Sequence, residues 1–280
     1  MAGRVAVVTG SNKGIGFAIV RALCPKFDGD VILTARDEER GKAAVEKLKT
    51  EGLNPKFHLL DISDENSIKT LLTFLKKEYG GLDVLVNNAA IFYQMDGPVP
   101  FSEQAEKTIQ VNFFDTLNVC RHLFPLLRPH ARVVNVSSSA GELTFITSKS
   151  LQQLFANEAL SEDELCGLMK QFVDDAKLGV HENNGWGIRP YSISKIGINA
   201  LTFIQHRQFL QDPRPDIVVN AVHPGYVDTD MTSHKGVLSP DQGAEAPAYL
   251  ALLPPNVKSP RGEFVWNDKT IKNWERFEDE

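Results

Sequence analysis

Short, unbroken apolar runs alternate along this chain with longer stretches in which apolar positions recur every three to four residues. "VAVVTG" (5–10), "DVILTA" (30–35), "PKFHLLD" (55–61), "DVLVNNA" (83–89), "RVVNVSS" (132–138), "DIVVNAVHPG" (216–225) and "GEFVW" (262–266) read as strands. Between them, "IGFAIVRALCPKF" (15–27), "EERGKAAVEKLKTEG" (38–52), "DENSIKTLLTFLKKEYGG" (64–81) and the tract from Ser102 to Leu127 predict helices. Ile68, Leu71, Leu72 and Leu75 hold the helical period, Asp37 is placed to cap the second helix, and Gly52 stops it. The strands are continuous in Val, Ile and Leu, with no polar alternation, which predicts a parallel sheet covered on both faces. The expected architecture is α/β: a doubly wound, seven-stranded parallel sheet forming one domain over residues 1–280. Its ligand belongs at the carboxyl ends of the strands.

One segment breaks the rhythm. Residues at about 145–188 lie between the fifth strand and the next helix and contain "LQQLFANEALSEDELCGLMKQFVDDAKLGV" (151–180). Ser161 can cap a helix whose first turn is acidic, and Leu165, Leu168, Met169 and Phe172 make an apolar stripe. The segment predicts a helical insertion packed on the core, which can also wall a substrate cleft or cover a contact surface.

"TGSNKGIG" (9–16) joins the first strand to the first helix. Gly10, Gly14 and Gly16, with Asn12, Lys13 and Ile15 between them, allow a tight turn and a close backbone approach. A pyrophosphate can then rest on the helix N-terminus. No G-K-[ST] follows, so this is not a P-loop. The second strand ends in Arg36, where a reader of a ribose 2′-hydroxyl would be an acid. A guanidinium there suits a 2′-phosphate, and Lys13 adds a second cation, so NADPH is favoured over NADH.

"RPYSISKIGIN" (189–199) puts Tyr191 and Lys195 one helical turn apart on one face. A phenol titrating near 10 is a weak acid at neutral pH, and a neighbouring cation favours its phenolate. "SISK" (192–195) also reads as a serine–lysine acyl-enzyme motif, but S-D-N, K-T-G and G-x-S-x-G are all missing.

The net charge of −6 argues against a general nucleic-acid binder. Cys24, Cys120 and Cys166 form no metal-ligand spacing and no disulfide framework. No run approaches the ~20 apolar residues that span a bilayer, and the N-terminal apolar run is too short for a signal peptide. "NVS" at Asn135 matches a glycosylation pattern but ends an apolar strand. The expectation is a cytoplasmic protein without a metal, a nucleic-acid partner or a membrane partner.

With "TGSNKGIG", "NNAA", "NVSS", "YSISK" and "HPGYVDT" in this order, the chain resembles the short-chain dehydrogenase/reductase family over essentially its whole length. "NKGIG", "GDVILTAR", "YGGLDVLVNNA", "YLALLPP" and the insertion make it most similar to the cytosolic NADPH-dependent carbonyl reductases, including 20β-hydroxysteroid dehydrogenases. The resemblance implies a Rossmann-type fold and a monomer, because in that group the insertion covers a helix face used by oligomers.

It further implies that Asp61 and Ile62 line the adenine pocket, and that Asn88 holds the fourth strand's loop and the adenosine ribose. Asn112 would anchor a proton relay, Ser138 would bond the substrate carbonyl, Tyr191 would donate the proton, and Lys195 would hold the nicotinamide ribose. Pro224, Val227, Asp228 and Thr229 would contact the nicotinamide half. Tyr93, Met95, Gln104 and Tyr226 would border the substrate, a small-molecule carbonyl compound. The family's N-N-A-G ends here in Ala90, a small change expected to be tolerated. A dedicated steroid or pterin oxidoreductase, and a non-catalytic NADPH-binding regulator, are the alternatives.

Overall fold

The computed structural model describes residues 3–94 and 97–274. Seven parallel strands run in the order β3-β2-β1-β4-β5-β6-β7. They are β1 (Val5–Val8), β2 (Asp30–Ala35), β3 (Lys56–Leu59), β4 (Leu82–Asn87), β5 (Leu127–Val136), β6 (Val218–Val222) and β7 (Phe264–Val265). The order reverses between β1 and β4, the switch point at which a doubly wound sheet opens a crevice beyond its carboxyl ends.

β1, β4 and β6 are buried at every residue. Val8, Leu33, Val86 and Val134 pack one face of the sheet against Ile19, Leu23 and Leu250, while Val7, Ile32, Leu85 and Val133 meet Leu71, Leu75 and Leu123 on the other. This double coverage is the physical reason the strands are continuous and not alternating.

The helices are α1 (Gly14–Leu23), α2 (Glu38–Thr50), α3 (Glu65–Glu78), α4 (Phe101–Ile109), α5 (Thr116–Leu123), α6 (Lys149–Phe155), α7 (Glu162–Leu178), α8 (Pro190–Leu210) and α9 (Pro240–Ala251). Asp37 caps α2 as expected, its Oδ1 accepting from the Arg40 amide at 2.9 Å. The tract expected to be helical from Ser102 to Leu127 is divided. α4 passes through a π-helical turn (Gln110–Asp115) into α5, and a 3-10 turn (Phe124–Leu126) then leads into β5. β5 starts earlier than expected because Leu127 pairs with Leu82, with an irregular register before the ladder resumes at Val84 and Arg132.

The insertion folds as α6 and α7. Ser161 and Glu164 form a reciprocal capping box at the start of α7, and Gly179 ends it in the left-handed conformation (φ 71°). Leu165, Met169 and Phe172 are buried from the expected stripe, whereas Leu168 is partly buried. α7 lies so close to α8 that a Cβ on Gly197 would stand 2.7 Å from Met169 Cε. Trp186, fully buried, donates its indole N–H to Asp175 at 2.7 Å and ties the end of the insertion to α7.

Candidate active site

The crevice begins at the loop between β1 and α1. Gly10 and Gly14 take positive φ (59° and 57°), where a side chain would be strained. A Cβ on Gly16 would meet Asn88 Nδ2 at 2.5 Å and the Gly10 carbonyl at 2.7 Å. Asn88 donates to the Thr9 and Gly10 carbonyls at 2.9 and 3.0 Å, locking the loop after β4 onto the glycine loop. Ala90 does not need a left-handed backbone, which explains why a methyl is accommodated there. Lys13 precedes α1 without capping it through its side chain, leaving the first-turn N–H groups aimed into the crevice.

Arg36 projects into solvent just beyond β2 and has no side-chain partner among the described residues. Asp37 is committed to the helix cap. Lys13 pairs with Asp230 at 2.5 Å, bridging the glycine loop to the segment after β6. Thr229 is on the same segment, its Cγ2 3.4 Å from the position a Cβ on Gly14 would take. Pro224 and Val227 are buried in this segment, and Asp228 is exposed and accepts from His234 Nδ1 at 2.7 Å. On the other flank, the Asp61 carboxylate accepts from the Ser63 amide at 3.0 Å and Ile62 is buried.

α8 carries Tyr191 and Lys195. Pro190 starts the helix at its first turn, where a missing N–H costs nothing. Lys195 is 3% exposed, and its Nζ donates to the Val136 carbonyl at 2.7 Å. An ammonium has three hydrogens, so two remain for another acceptor. Its Nζ lies 5.5 Å from the Tyr191 ring centroid. The phenol is edge-on to Phe92 at 5.2 Å, and its oxygen is 4.0 Å from Met231 Sδ.

Burial pushes the Tyr191 phenol up to about 12, opposed by the polar contact from Ser138. Burial also lowers Lys195 to about 8. The sequence suggests a lysine that makes the phenol more acidic. In the protein alone burial outweighs the Ser138 contact, because desolvation disfavours both charged forms. Any net lowering has to come from a further positive charge beside the phenol.

Ser138 stands at the end of β5, extended, and caps a 3-10 turn (Ser139–Gly141) by accepting from the Ala140 amide at 3.1 Å. Asn112 is in the π-helical turn, 2% exposed. Its Oδ1 accepts from the Ile91 amide at 2.8 Å, and its Nδ2 donates to the Ile91 carbonyl at 3.0 Å and to Ser194 Oγ at 3.1 Å. The π-turn thus braces the loop after β4 against α8 at Ser194, three residues after Tyr191 and one before Lys195. Such turns recur at functional sites.

The glycine cradle, the uncapped helix start, the free Arg36 guanidinium and the unused Lys195 hydrogens fit a dinucleotide carrying a 2′-phosphate. Among the expected substrate contacts, Tyr226 is half exposed and Tyr93 partly buried. Gln104 is buried, its amide donating to the Val99 carbonyl at 2.8 Å, so it holds the loop before α4. Met95 lies outside the described residues. Sequence reasoning missed Phe92 and Met231, which touch the phenol from loops distant in the chain. A separate cavity of about 380 Å³ between α6, α8 and the C-terminal segment shares no lining residue with this site.

The sequence pattern of the short chain dehydrogenases matches residues 4–150. The chain is 54% identical over 273 residues to carbonyl reductase (NADPH) 1 of Sus scrofa, covering 97% of this chain and 94% of that protein. It is 51% identical to carbonyl reductase (NADPH) 3 of Homo sapiens, with 97% and 98% coverage. Among solved structures, salutaridine reductase from Papaver somniferum superposes with a TM-score of 0.84 at 32% identity, covering 93% of this chain and 99% of that one. Menthone neomenthol reductase from Mentha piperita gives 0.80 at 31%, with 95% and 99% coverage.

Proposed function

We propose that this chain, which belongs to the short-chain dehydrogenase family, reduces carbonyl groups to alcohols with NADPH as hydride donor and Tyr191 as proton donor. The observation that carries this reading is the convergence of Tyr191, Lys195 and Ser138 at the carboxyl ends of the strands, beside a glycine loop built for a pyrophosphate. The relatives named as NADPH carbonyl reductases support the same cofactor and reaction.

NADPH, when bound, would supply the hydride for the carbonyl carbon. Negative charge then builds on the carbonyl oxygen, and the chain's task is to stabilise and protonate it. Ser138 donates a neutral hydrogen bond to that oxygen. The Ala140 amide occupies a lone pair of Ser138 Oγ, which leaves the hydroxyl hydrogen for the substrate. Tyr191 delivers the proton; with its phenol raised to about 12 by burial, the proton is in place throughout the neutral range. Lys195 would hold ribose hydroxyls with its two remaining hydrogens, while the Val136 carbonyl fixes its third. Asn112 ties the loop after β4, through the Ile91 backbone, to the Ser194 hydroxyl on α8. Arg36, joined by Lys13, would hold the 2′-phosphate, with Asp61, Ile62 and Asn88 on the adenosine side and Pro224, Val227, Asp228 and Thr229 on the nicotinamide side.

Phe92 and Met231 expose apolar surface beside the phenol (38% and 37%), and Tyr226, half exposed, is on the segment that carries Met231. That rim suits flat, apolar carbonyl compounds such as quinones and aromatic aldehydes, and extends to ketones and 20-ketosteroids. The chain acts as a monomer of one domain in the cytoplasm, with α7 occupying the α8 face. The test is NADPH consumption against quinones, aromatic aldehydes and 20-ketosteroids. Turnover with several of them is expected. A folded, NADPH-binding protein that consumes none would overturn the reading.

A further inference from the structure

His223 directly follows β6, immediately before the Pro224–Gly225 bend, and has no part in the reduction as derived from Tyr191, Ser138 and Lys195. It is 8% exposed, and its Nδ1 accepts from the Ser139 amide at 3.0 Å. Its backbone N–H donates to the Val265 carbonyl at 2.8 Å, and its ring meets Trp266 edge-on at 4.9 Å. An imidazole that accepts at Nδ1 carries its proton on Nε2 and is neutral. Burial supports that state, lowering its titration to about 4.

The amide it holds belongs to the turn that starts at Ser138. Three consecutive N–H groups in this turn are pinned: Ser139 to His223 Nδ1, Ala140 to Ser138 Oγ at 3.1 Å, and Gly141 to the Ser138 carbonyl at 2.9 Å. The turn itself sits on α8, where a Cβ on Gly141 would stand 3.0 Å from the Lys195 carbonyl and 2.8 Å from Asn199 Nδ2. His223 is the one contact in the set that comes from the segment after β6, which carries the proposed nicotinamide contacts.

We propose that His223 is a positioning residue for the reduction, acting through the Ser139 amide to fix the Ser138 hydroxyl against Tyr191 and to couple that turn to the segment after β6. The role rests on the reductase reading above. It requires an acceptor at the place of Nδ1 and nothing else from the ring. Asparagine puts its Oδ1 at that place; glutamine reaches past it; leucine offers no acceptor and leaves the amide unpaired.

His223→Leu, His223→Asn and His223→Gln are compared by NADPH Kd, kcat, KM and thermal unfolding. His223→Leu and His223→Gln are expected to lose about ten-fold in kcat with NADPH Kd unchanged, since a small displacement of a reacting group is costly. His223→Asn is expected to stay within about two-fold of the parent. A purely structural role would instead rank the variants by unfolding temperature. Full kcat in His223→Gln, or equal losses in His223→Asn and His223→Gln, overturns the proposal even if His223→Leu fails to fold. A parent protein that binds NADPH but reduces no carbonyl overturns the reductase reading, and the positioning role with it.

Discussion

The two ends of the sheet are built on opposite principles. At the amino end, Asp216 sits just before β6 with its carboxylate 5% exposed. It accepts from His130 Nδ1 at 2.9 Å, Arg132 Nη2 at 3.0 Å, Arg261 Nη1 at 2.5 Å and the Asn256 amide at 2.7 Å. Arg132 spends its other hydrogens on the carbonyls of Asp216, Leu253 and Pro254. Asp83 repeats the device at β4, accepting from the Val5 amide at 2.8 Å and Arg128 at 2.7 Å. At the carboxyl end, among the described residues, Lys195 has one acceptor, Arg36 has none, and the Tyr191 hydroxyl meets a thioether and the Ser138 contact. Saturated polar groups hold a fold together. Buried or converging groups with capacity to spare mark where a ligand completes the set.

The largest expected effect breaks the saturated end. Asp216→Ala leaves Arg132 buried beside Arg261 without their carboxylate, and should cost about 3–5 kcal/mol in chemical unfolding. The Asp216 carboxyl is held well below its ordinary range: burial alone would raise it, but the Asn256 amide and the His130, Arg261 and Arg132 side chains outweigh that. Unfolded, an aspartate titrates near 3.9. The stabilisation is therefore complete above about pH 4 and is lost as pH falls through the folded value. Asp216→Asn should flatten that acid limb of the stability curve.

A smaller effect is expected at the open end. Arg36→Ala removes charge-assisted bonds worth about 1.5–3 kcal/mol, so NADPH Kd should rise about 10- to 100-fold while NADH Kd stays level and unfolding is unchanged. Equal catalytic efficiency with NADH in the parent protein would contradict the 2′-phosphate assignment. The mildest expectation is a pH profile. With the phenol raised to about 12, carbonyl reduction should change by less than about two-fold between pH 6 and 7.5, because the acid stays protonated. Alcohol oxidation needs the phenolate and should climb steadily as pH rises.

Much of this contrast was legible in the sequence at the open end and little of it at the closed end. The glycine loop and the Tyr191–Lys195 pair are local patterns, read directly from adjacent residues. The Asp216 cluster joins residues from β5, the turn before β6 and the segment after α9, and no periodicity announces it. β2 was bounded correctly because Gly29 and Arg36 frame its apolar run. β5 was not, since its first half is Arg128, Pro129 and His130, with His130 at positive φ. The tract from Ser102 to Leu127 reads as one helix because a π-turn adds a residue without changing composition; that extra residue is what places Asn112. The phenol's partners Phe92, Ser138 and Met231, with His223 behind Ser138, come from the loops after β4, β5 and β6. Only the fold brings them together.

The most direct measurement is single-turnover NADPH oxidation by the parent protein and Tyr191→Phe with one quinone or aldehyde, alongside NADPH Kd for each. Loss of the proton donor should lower the rate by about 10²- to 10⁴-fold with Kd within about two-fold. A Tyr191→Phe protein that folds, binds NADPH and keeps most of its turnover would contradict the account.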